Sequence, residues 1–394
     1  MSTLKVNAIR SANGTGDAIS LTAADKTCTA NITNNLSNRN LIINGDCRID
    51  QRNIAAGYSA YDTNSIRQYG GVDRFHQYFY SGNEEARYDF KRATGPADKG
   101  FDYCAHIDVT TSDTSWHADH ALWTAYRVEA NDCQGLYYGT SDAKDLTLSF
   151  WIKSKITGNF SLRVCAEDYS DYYVTTYTVS AADTWEKKII TIPGDTRAGK
   201  GLTIDNSHGI EIKWVWLSGT NRVGTPNQWA TGDTEFGASG VTLANIFSST
   251  SNYVEITGVQ LEIGSYATDF EYRPYADELA RCQRYFFAIQ GNNTDYAGIQ
   301  GYANSDSEIR FNVQFPVPMR ATPTWDGSAT ACYLDCANDS DTANINAYSI
   351  IRSSPTTSPT SFTVKKSPGG STAGQAGQFE FRADNGFIYV SAEF

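Results

Sequence analysis

The sequence predicts an all-β protein: a jelly-roll β-sandwich, then a short helix, then a second, smaller C-terminal β-sandwich. Three observations carry this. Apolar residues recur at period two over short runs: Leu146, Leu148, Phe150 and Ile152; Phe160, Leu162, Val164 and Ala166; Ile210, Ile212, Trp214 and Trp216. The composition suits turns and pleated surfaces, being rich in Gly, Ser, Thr, Asn and Asp, with 24 Tyr, 18 Phe and 8 Trp against 2 Met. No helical pattern separates the strand-like runs before Pro274, which excludes parallel βαβ units. At 394 residues the chain can bury a sizeable core without disulfides.

Taken in order, residues 1–38 hold two short apolar runs, 4–9 and 18–21, around the turn-rich NGTGD. A hairpin there has too few apolar side chains for a core of its own and needs a partner surface; a disordered leader is the alternative. Residues 39–272 form the jelly roll. LIINGDCRIDQ (41–51), DRFHQYFY (73–80), ARYDFKR (86–92), AHIDVT (105–110), LTLSFWIKS (146–154), FSLRVCAE (160–167), EKKIITIPGDT (186–196) and GIEIKWVWLSG (209–219) read as strands, each burying one face. A last strand starts at Tyr253, and its apolar parity switches at Gly258, from Val254 and Ile256 to Val259, Leu261 and Ile263. One extra residue keeps both halves facing one core, so a β-bulge is expected.

Pro274 then opens a linker helix over residues 273–285, with Tyr275, Leu279, Cys282 and Phe286 on one apolar stripe, and this helix is expected to act as a hinge. Residues 286–394 form the C-terminal module, with strands at FFAIQ (286–290), EIRFNVQF (308–315), AYSIIR (347–352), SFTVKK (361–366), QFEFRAD (378–384) and GFIYVSAEF (386–394). SSPTTSPTS (353–361) reads as a surface loop. No repeat of solenoid or propeller length occurs, which argues against a β-helix.

The formal charge of −12, without clustered Lys or Arg, argues against nucleic acid and against an anionic membrane surface. No apolar run reaches the ~18 residues of a membrane span, so no membrane insertion is expected. Residues 1–11 lack a secretory apolar core, which points to synthesis and folding in a cytosol. The eight cysteines (28, 47, 104, 133, 165, 282, 332 and 336) show no framework spacing and read as free, mostly buried thiols.

His117, Asp119 and His120 stand close enough to suggest a metal, but they lie in a polar loop without a further ligand, and Cys332 and Cys336 lack a second pair. No EF-hand spacing marks calcium. The expectation is no metal and no cofactor. Glu84, Glu85, Asp102, Asp168 and Asp171 could supply a glycosidase pair, yet a chain so rich in Asp yields such pairs by accident. With no nucleophile elbow and no phosphate-cradling loop, a non-enzymatic protein is expected. DYSDYYVTTY (168–177) and GLYYG (135–139) set rings beside polar residues, as recognition surfaces do; packing against neighbouring strands is the plainer account.

NLIINGDCRIDQRN (40–53), DRF (73–75), LTLSFWIKS, TWEKKIITIPGDT (184–196) and above all ITGVQLEIGSYATDFEYRPYADELARCQRYF (256–286) together resemble the jelly-roll module of bacteriophage tail fibres and related adhesins. FPVPMRATPTW (315–325) is similar to the opening of the β-domain that follows in such proteins, and MSTLKVN to fibre N-termini of phages infecting marine bacteria. The resemblance implies a virion protein of the tail, assembled in the host bacterial cytoplasm and usually a homotrimer. Its N-terminal attachment segment would meet a tail, baseplate or adaptor protein through Leu4, Val6, Ile9, Ile19 and Leu21. The distal C-terminal module would meet a bacterial surface glycan or protein, with Tyr296, Tyr302, Trp325, Tyr333 and Tyr348 as receptor-contact candidates. A structural adaptor or collar fibre, and a polysaccharide depolymerase, are the alternatives.

Overall fold

The computed structural model describes residues 8–10, 17–21, 28–30, 38–52, 68–80, 86–166, 170–290, 299–303, 305, 308–311, 314–327, 332–336, 343–344, 362–365, 373–374, 376–381 and 387–394. Strands β1 (Ala8–Arg10), β2 (Asp17–Leu21) and β3 (Cys28–Ala30) form an antiparallel meander in which Ile9 pairs with Ile19. The third strand adds to the hairpin expected from sequence, and Leu21 closes the second pairing opposite Cys28. Leu4 and Val6 lie outside the described residues.

The sandwich follows, with β4 (Gln68–Tyr69), β5 (Phe75–Tyr80), β6 (Arg87–Thr94), β7 (Tyr103–Thr111), β8 (Ala121–Glu129) and β9 (Leu146–Ser154). Next come β10 (Gly158–Ala166), β11 (Asp171–Val179), β12 (Glu186–Ile192), β13 (His208–Ser218), β14 (Val223–Gly224), β15 (Trp229–Thr231), β16 (Gly237–Ala238) and β17 (Tyr253–Ile263). They build a seven-stranded sheet ordered β15-β11-β10-β13-β8-β5-β4 and a five-stranded sheet ordered β12-β9-β17-β7-β6. Their facing sides share one core, which includes Phe75, Tyr126, Phe150, Phe160, Trp214 and Ile256. The expectation of one buried face per strand fails for β8, β10 and β13, which are buried at nearly every position. The cause is the connection from residue 219 to 240, which folds back over the outer face of the seven-stranded sheet, with β14 and β16 paired in parallel.

Strand β17 is central in its sheet and carries the bulge: Thr257 faces Trp151 but Gln260 faces Ser149, so two residues oppose one. Gly258 holds φ +59°, and a Cβ there would meet the Phe101 ring at 2.6 Å. Beyond Ile256 the strand leaves β7 and needs new partners. Residues 40–45 provide them. Leu41 N donates to Leu261 O at 2.9 Å, Val259 N donates to Gly45 O at 2.9 Å, and the Asn40 carboxamide accepts from Leu261 N while donating to Val259 O.

The stretch 41–51 is therefore not the strand its alternation suggests. Asn44 and Cys47 take positive φ, and Asn44 ties the turn by donating to Ile49 O and accepting from Ile49 N. Ile42, Cys47 and Ile49 are buried by this irregular path. Side-chain hydrogen bonds have outcompeted a ladder here.

Helix α1 (Tyr275–Gln283) begins after Pro274. Its buried face is Glu278 and Cys282, continued by Tyr285, while Tyr275 is 57% exposed, so the stripe is rotated from the one expected. Glu278 causes the rotation: its carboxylate accepts from Asn44 N and pairs with Arg273 at 3.2 Å. Cys282 and Tyr285 belong to the sandwich core, so the expected hinge is a docked element.

The C-terminal module comprises β18 (Phe286–Gln290), β19 (Ile299–Ala303), β20 (Glu308–Phe311), β21 (Thr324–Gly327) and β22 (Cys332–Cys336). It ends with β23 (Ala343–Asn344), β24 (Phe362–Lys365), β25 (Ala376–Phe381) and β26 (Phe387–Ser391). They form antiparallel sheets ordered β18-β26-β21 and β23-β22-β25-β19-β20-β24. AYSIIR and the SSPTTSPTS loop lie outside the described residues. Just past β26, Glu393 forms a buried ion pair with Arg74 of the sandwich, and Ala392 N donates to Tyr285 O at 2.7 Å.

The closest approach in this framework is at Gly45, where a Cβ would stand 2.0 Å from Val259 O. Gly45→Ala should therefore cost at least the ~1–3 kcal/mol of an overpacked core in denaturant unfolding of the full chain. An unchanged midpoint would show that the bulge does not depend on this contact.

Candidate functional site

The outer face of the seven-stranded sheet carries the parity opposite to the core. Along β5 these residues are His76, Tyr78 and Tyr80; along β8, Ala121, Trp123, Ala125 and Arg127; along β13, Glu211, Lys213 and Val215. Pairing sets them in rungs. Arg127 faces Glu211, His76 and Lys213 flank Ala125, and Tyr78 faces Trp123 beside Val215. The small Ala125 between two long polar side chains leaves a hollow, and Phe236 from the covering connection closes one side. The result is a cavity of ≈ 210 Å³ lined by His76, Tyr78, Tyr80, Trp123, Arg127, Glu211, Lys213, Asp233 and Phe236.

Its aromatic wall is a stack. Trp123 lies between Tyr78 (centroids 4.9 Å, interplanar 22°) and Phe236 (4.5 Å, 22°), and Tyr80 packs on Phe236 at 5.3 Å. Trp123 is buried, and its indole N–H has no acceptor among the described residues. A buried tryptophan ordinarily finds one.

The polar wall centres on Glu211. Its Oε1 stands 3.0 Å from Arg127 Nε and 3.2 Å from His76 Nε2, and its Oε2 stands 3.1 Å from Lys213 Nζ. Burial alone would raise the Glu211 carboxyl, but the charges of Lys213 and Arg127, with the His76 contact, outweigh it and hold it well below the usual carboxylate range. Burial pushes the Lys213 ammonium below the ordinary lysine range, against the pull of Glu211. Lys213 also stands 4.6 Å from the Trp123 ring centroid, a desolvated cation–π contact. Charged donors and aromatic side chains thus line one small space.

Sequence reasoning placed recognition elsewhere. Tyr302 is 49% exposed but lies in β19, Trp325 lies in β21 and Tyr333 in β22, so these three are strand residues rather than loop residues. They do not share a sheet, since β21 belongs to the three-stranded one. Tyr296 and Tyr348 lie outside the described residues. In the tyrosine-rich runs, Tyr138, Tyr173 and Tyr177 join the sandwich core, as the plainer account had it, and Tyr137 is exposed.

His117 and Asp119 are 3.5 Å apart and the His117 and His120 rings 4.9 Å apart; among the described residues, no group of three His, Cys, Asp or Glu is placed to hold a metal. Of the acidic candidates, Glu84, Glu85 and Asp168 lie outside the described residues. Asp171 is buried in ion pairs with Arg197 (2.9 Å) and Lys200 (2.8 Å), while Asp102 is exposed beside β7 on the other sheet. Cys47, Cys104, Cys133, Cys165 and Cys282 are free and buried. A larger hollow of ≈ 590 Å³ opens where Asn38 and Arg39 meet Tyr137 and Ile263, without a ring stack.

The cavity's residues did leave a signal. In β5, β8 and β13 the parity opposite to the core carries rings and charges, where a plain solvent face carries Ser, Thr and Lys.

No family model and no curated protein sequence matches the chain. Among solved structures it is similar to a family 11 carbohydrate-binding module from Clostridium thermocellum in complex with a β-1,3-1,4-mixed-linked tetrasaccharide, at 16% identity and TM-score 0.27, over 52% of this chain and 96% of that one. It is similar to a putative sugar binding protein from Bacteroides thetaiotaomicron at 12% identity and TM-score 0.32, over 57% and 100%. It is also similar to the enzymatically active domain of tailspike protein 4 of bacteriophage CBA120, at 9% identity and TM-score 0.26, over 48% and 19%. These are likenesses and no more.

Because the folded Glu211 carboxyl sits below the ordinary 4.5, its pairing contributes stability at neutral pH that is lost as pH falls from about 4.5 toward the folded value. Glu211→Gln should cost about 3–5 kcal/mol at pH 7, by leaving Lys213 and Arg127 without their carboxylate, and should flatten the acid limb of the stability curve. Parallel acid limbs for the two proteins, measured by thermal unfolding, would show that Glu211 is not held ionised.

Proposed function

We propose that the protein is a non-enzymatic glycan-binding attachment protein of the tail-fibre kind, and that the cavity over Ala125 is where it takes its sugar. One observation carries this reading: aromatic side chains and buried charged donors converge on one small hollow. Sugars present apolar C–H faces and polar hydroxyl rims, and a ring beside hydrogen-bonding side chains answers both. The unsatisfied Trp123 N–H would find its acceptor in a sugar oxygen.

The same charges speak against hydrolysis. A glycosidase needs a carboxyl kept protonated as general acid and a second carboxylate across the bond. Glu211 is held ionised by its cations, and Asp233 is exposed at the rim.

The virion role rests on the tail-fibre resemblance of the sequence. In this reading residues 1–38 attach to a tail, baseplate or adaptor protein, and the chain assembles as a homotrimer in the virion. The β1–β3 meander, three short strands, suits an element completed by neighbouring chains.

A fluorescent fusion of the full chain should decorate susceptible cells and compete with infection. Tyr78→Ala should weaken that binding roughly 10–30-fold, the loss of an interface aromatic. Undiminished binding by this variant would move the site away from the cavity, and no binding to any permissive host would end the attachment reading. Light scattering of the full chain should return three times the mass of one chain; a monomer would remove the trimer.

A further inference from the structure

Resting on the glycan reading above, we infer that this protein recognises a sugar chain by its end, taking one terminal ring rather than a stretch of chain interior. The argument comes from how the outer face is blocked. A sheet face left uncovered across all its strands would give a linear polymer room to lie along it. Here the connection from 219 to 240 is fastened over the half that belongs to β10 and β11. Ser161 Oγ donates to Phe236 O at 2.9 Å, Arg163 Nη2 donates to Gly232 O at 3.0 Å, and Phe236 N donates to Arg222 O at 2.8 Å. Arg222 is itself held, with Nε donating to Asp119 O at 2.8 Å and its guanidinium 4.9 Å from the centre of the Tyr80 ring.

Phe236 therefore stands as an end wall. Its ring lies flat on Trp123, and the Arg163 guanidinium lies 5.0 Å from its centroid on the covered side. The hollow that is left, ≈ 210 Å³, falls below the ~300 Å³ at which pockets begin to take drug-sized ligands. One sugar ring fills it. A second ring has to lie outward, past the half-buried Tyr78 and Tyr80, toward solvent. The inner polar group, Lys213 with Glu211, would then meet the hydroxyl edge of the terminal ring, and Trp123 N–H one of its oxygens.

End recognition and interior recognition differ in how binding depends on chain length. For an end-binding site each ligand offers one position, so affinity per chain stays level beyond the disaccharide. Interior binding offers more registers as the chain grows, so apparent affinity rises roughly in proportion to length, and several proteins load on one chain.

The test is titration calorimetry of the full-length wild-type chain with length ladders, monosaccharide to octasaccharide, of neutral hexose, hexosamine and uronic-acid oligosaccharides, and with polysaccharide extracted from a susceptible host. Level affinity from disaccharide to octasaccharide, with one protein per chain and competition by the free terminal monosaccharide, is the expected result. Affinity climbing with length, or several proteins per chain, overturns end recognition and leaves glycan binding standing. No heat with any ladder or with the host polysaccharide overturns the glycan reading itself. Phe236→Ala adds a second readout: it removes the end wall without a backbone anchor and should bring in the length dependence that the wild type lacks.

Discussion

Everything in the sandwich leans on the broken ladder of β17. A central strand must satisfy two rows of backbone groups, and β17 can do so against β7 only as far as Ile256. The extra residue at the Gly258 bulge keeps Val259 and Leu261 facing the core while it turns the far half of the strand away from β7. The groups so exposed are buried, and leaving them unmet would cost about 1–3 kcal/mol each. Residues 40–45 meet them, and to reach that close the chain needs glycine at 45 and asparagine at 40. Asn44 then hands the path on to Glu278, which fixes helix α1. A single extra residue in one strand thus determines the course of two segments far from it in sequence.

The two faces of the seven-stranded sheet solve opposite problems. The inner face is aromatic and aliphatic, and some of its polar groups pair: Gln77, Thr124 and Trp216 form a chain of buried hydrogen bonds with Tyr88 of the facing sheet, while the Gln77 amide nitrogen and the Trp214 indole N–H have no partner among the described residues. The outer face holds Glu211 among Arg127, Lys213 and His76, an arrangement that apolar residues would match for stability alone. Retaining charges in so dry a place is unexplained by packing, which is why the cavity, and not the larger hollow near Tyr137, draws the functional reading.

Much of the fold could be read from periodicity, because alternation is imposed by the pleat itself: β9, β10 and β13 are where Leu146, Phe160 and Ile210 begin their runs, and the parity switch located the bulge. Periodicity misled where side chains, not ladders, set the path. LIINGDCRIDQ alternates like a strand, but the Asn40 and Asn44 side chains take up backbone groups that a ladder would otherwise pair. The helix stripe was misplaced because Glu278 looks like a solvent residue and is buried by its partners. The cavity escaped the sequence reading for a related reason. Rings in polar loops look like recognition surfaces, whereas Tyr78, Tyr80 and Trp123 sit on strands, and only the pairing of three strands brings the buried His76, Arg127, Glu211 and Lys213 together beside them.

The pair between Arg74 and Glu393 spans 319 residues of sequence and joins the sandwich to the end of the second module. Arg74 is walled in by Tyr126, Tyr285 and Phe394, so its counter-charge arrives only when the last described strand has been placed. During synthesis the sandwich can be complete in its strands while this cation is still uncompensated. Contacts of such separation form late and slowly, since the loop they close is long. The two modules are therefore not electrostatically independent: a chain cut short before Glu393 would keep the strands of the sandwich but would leave Arg74 without the carboxylate that neutralises it.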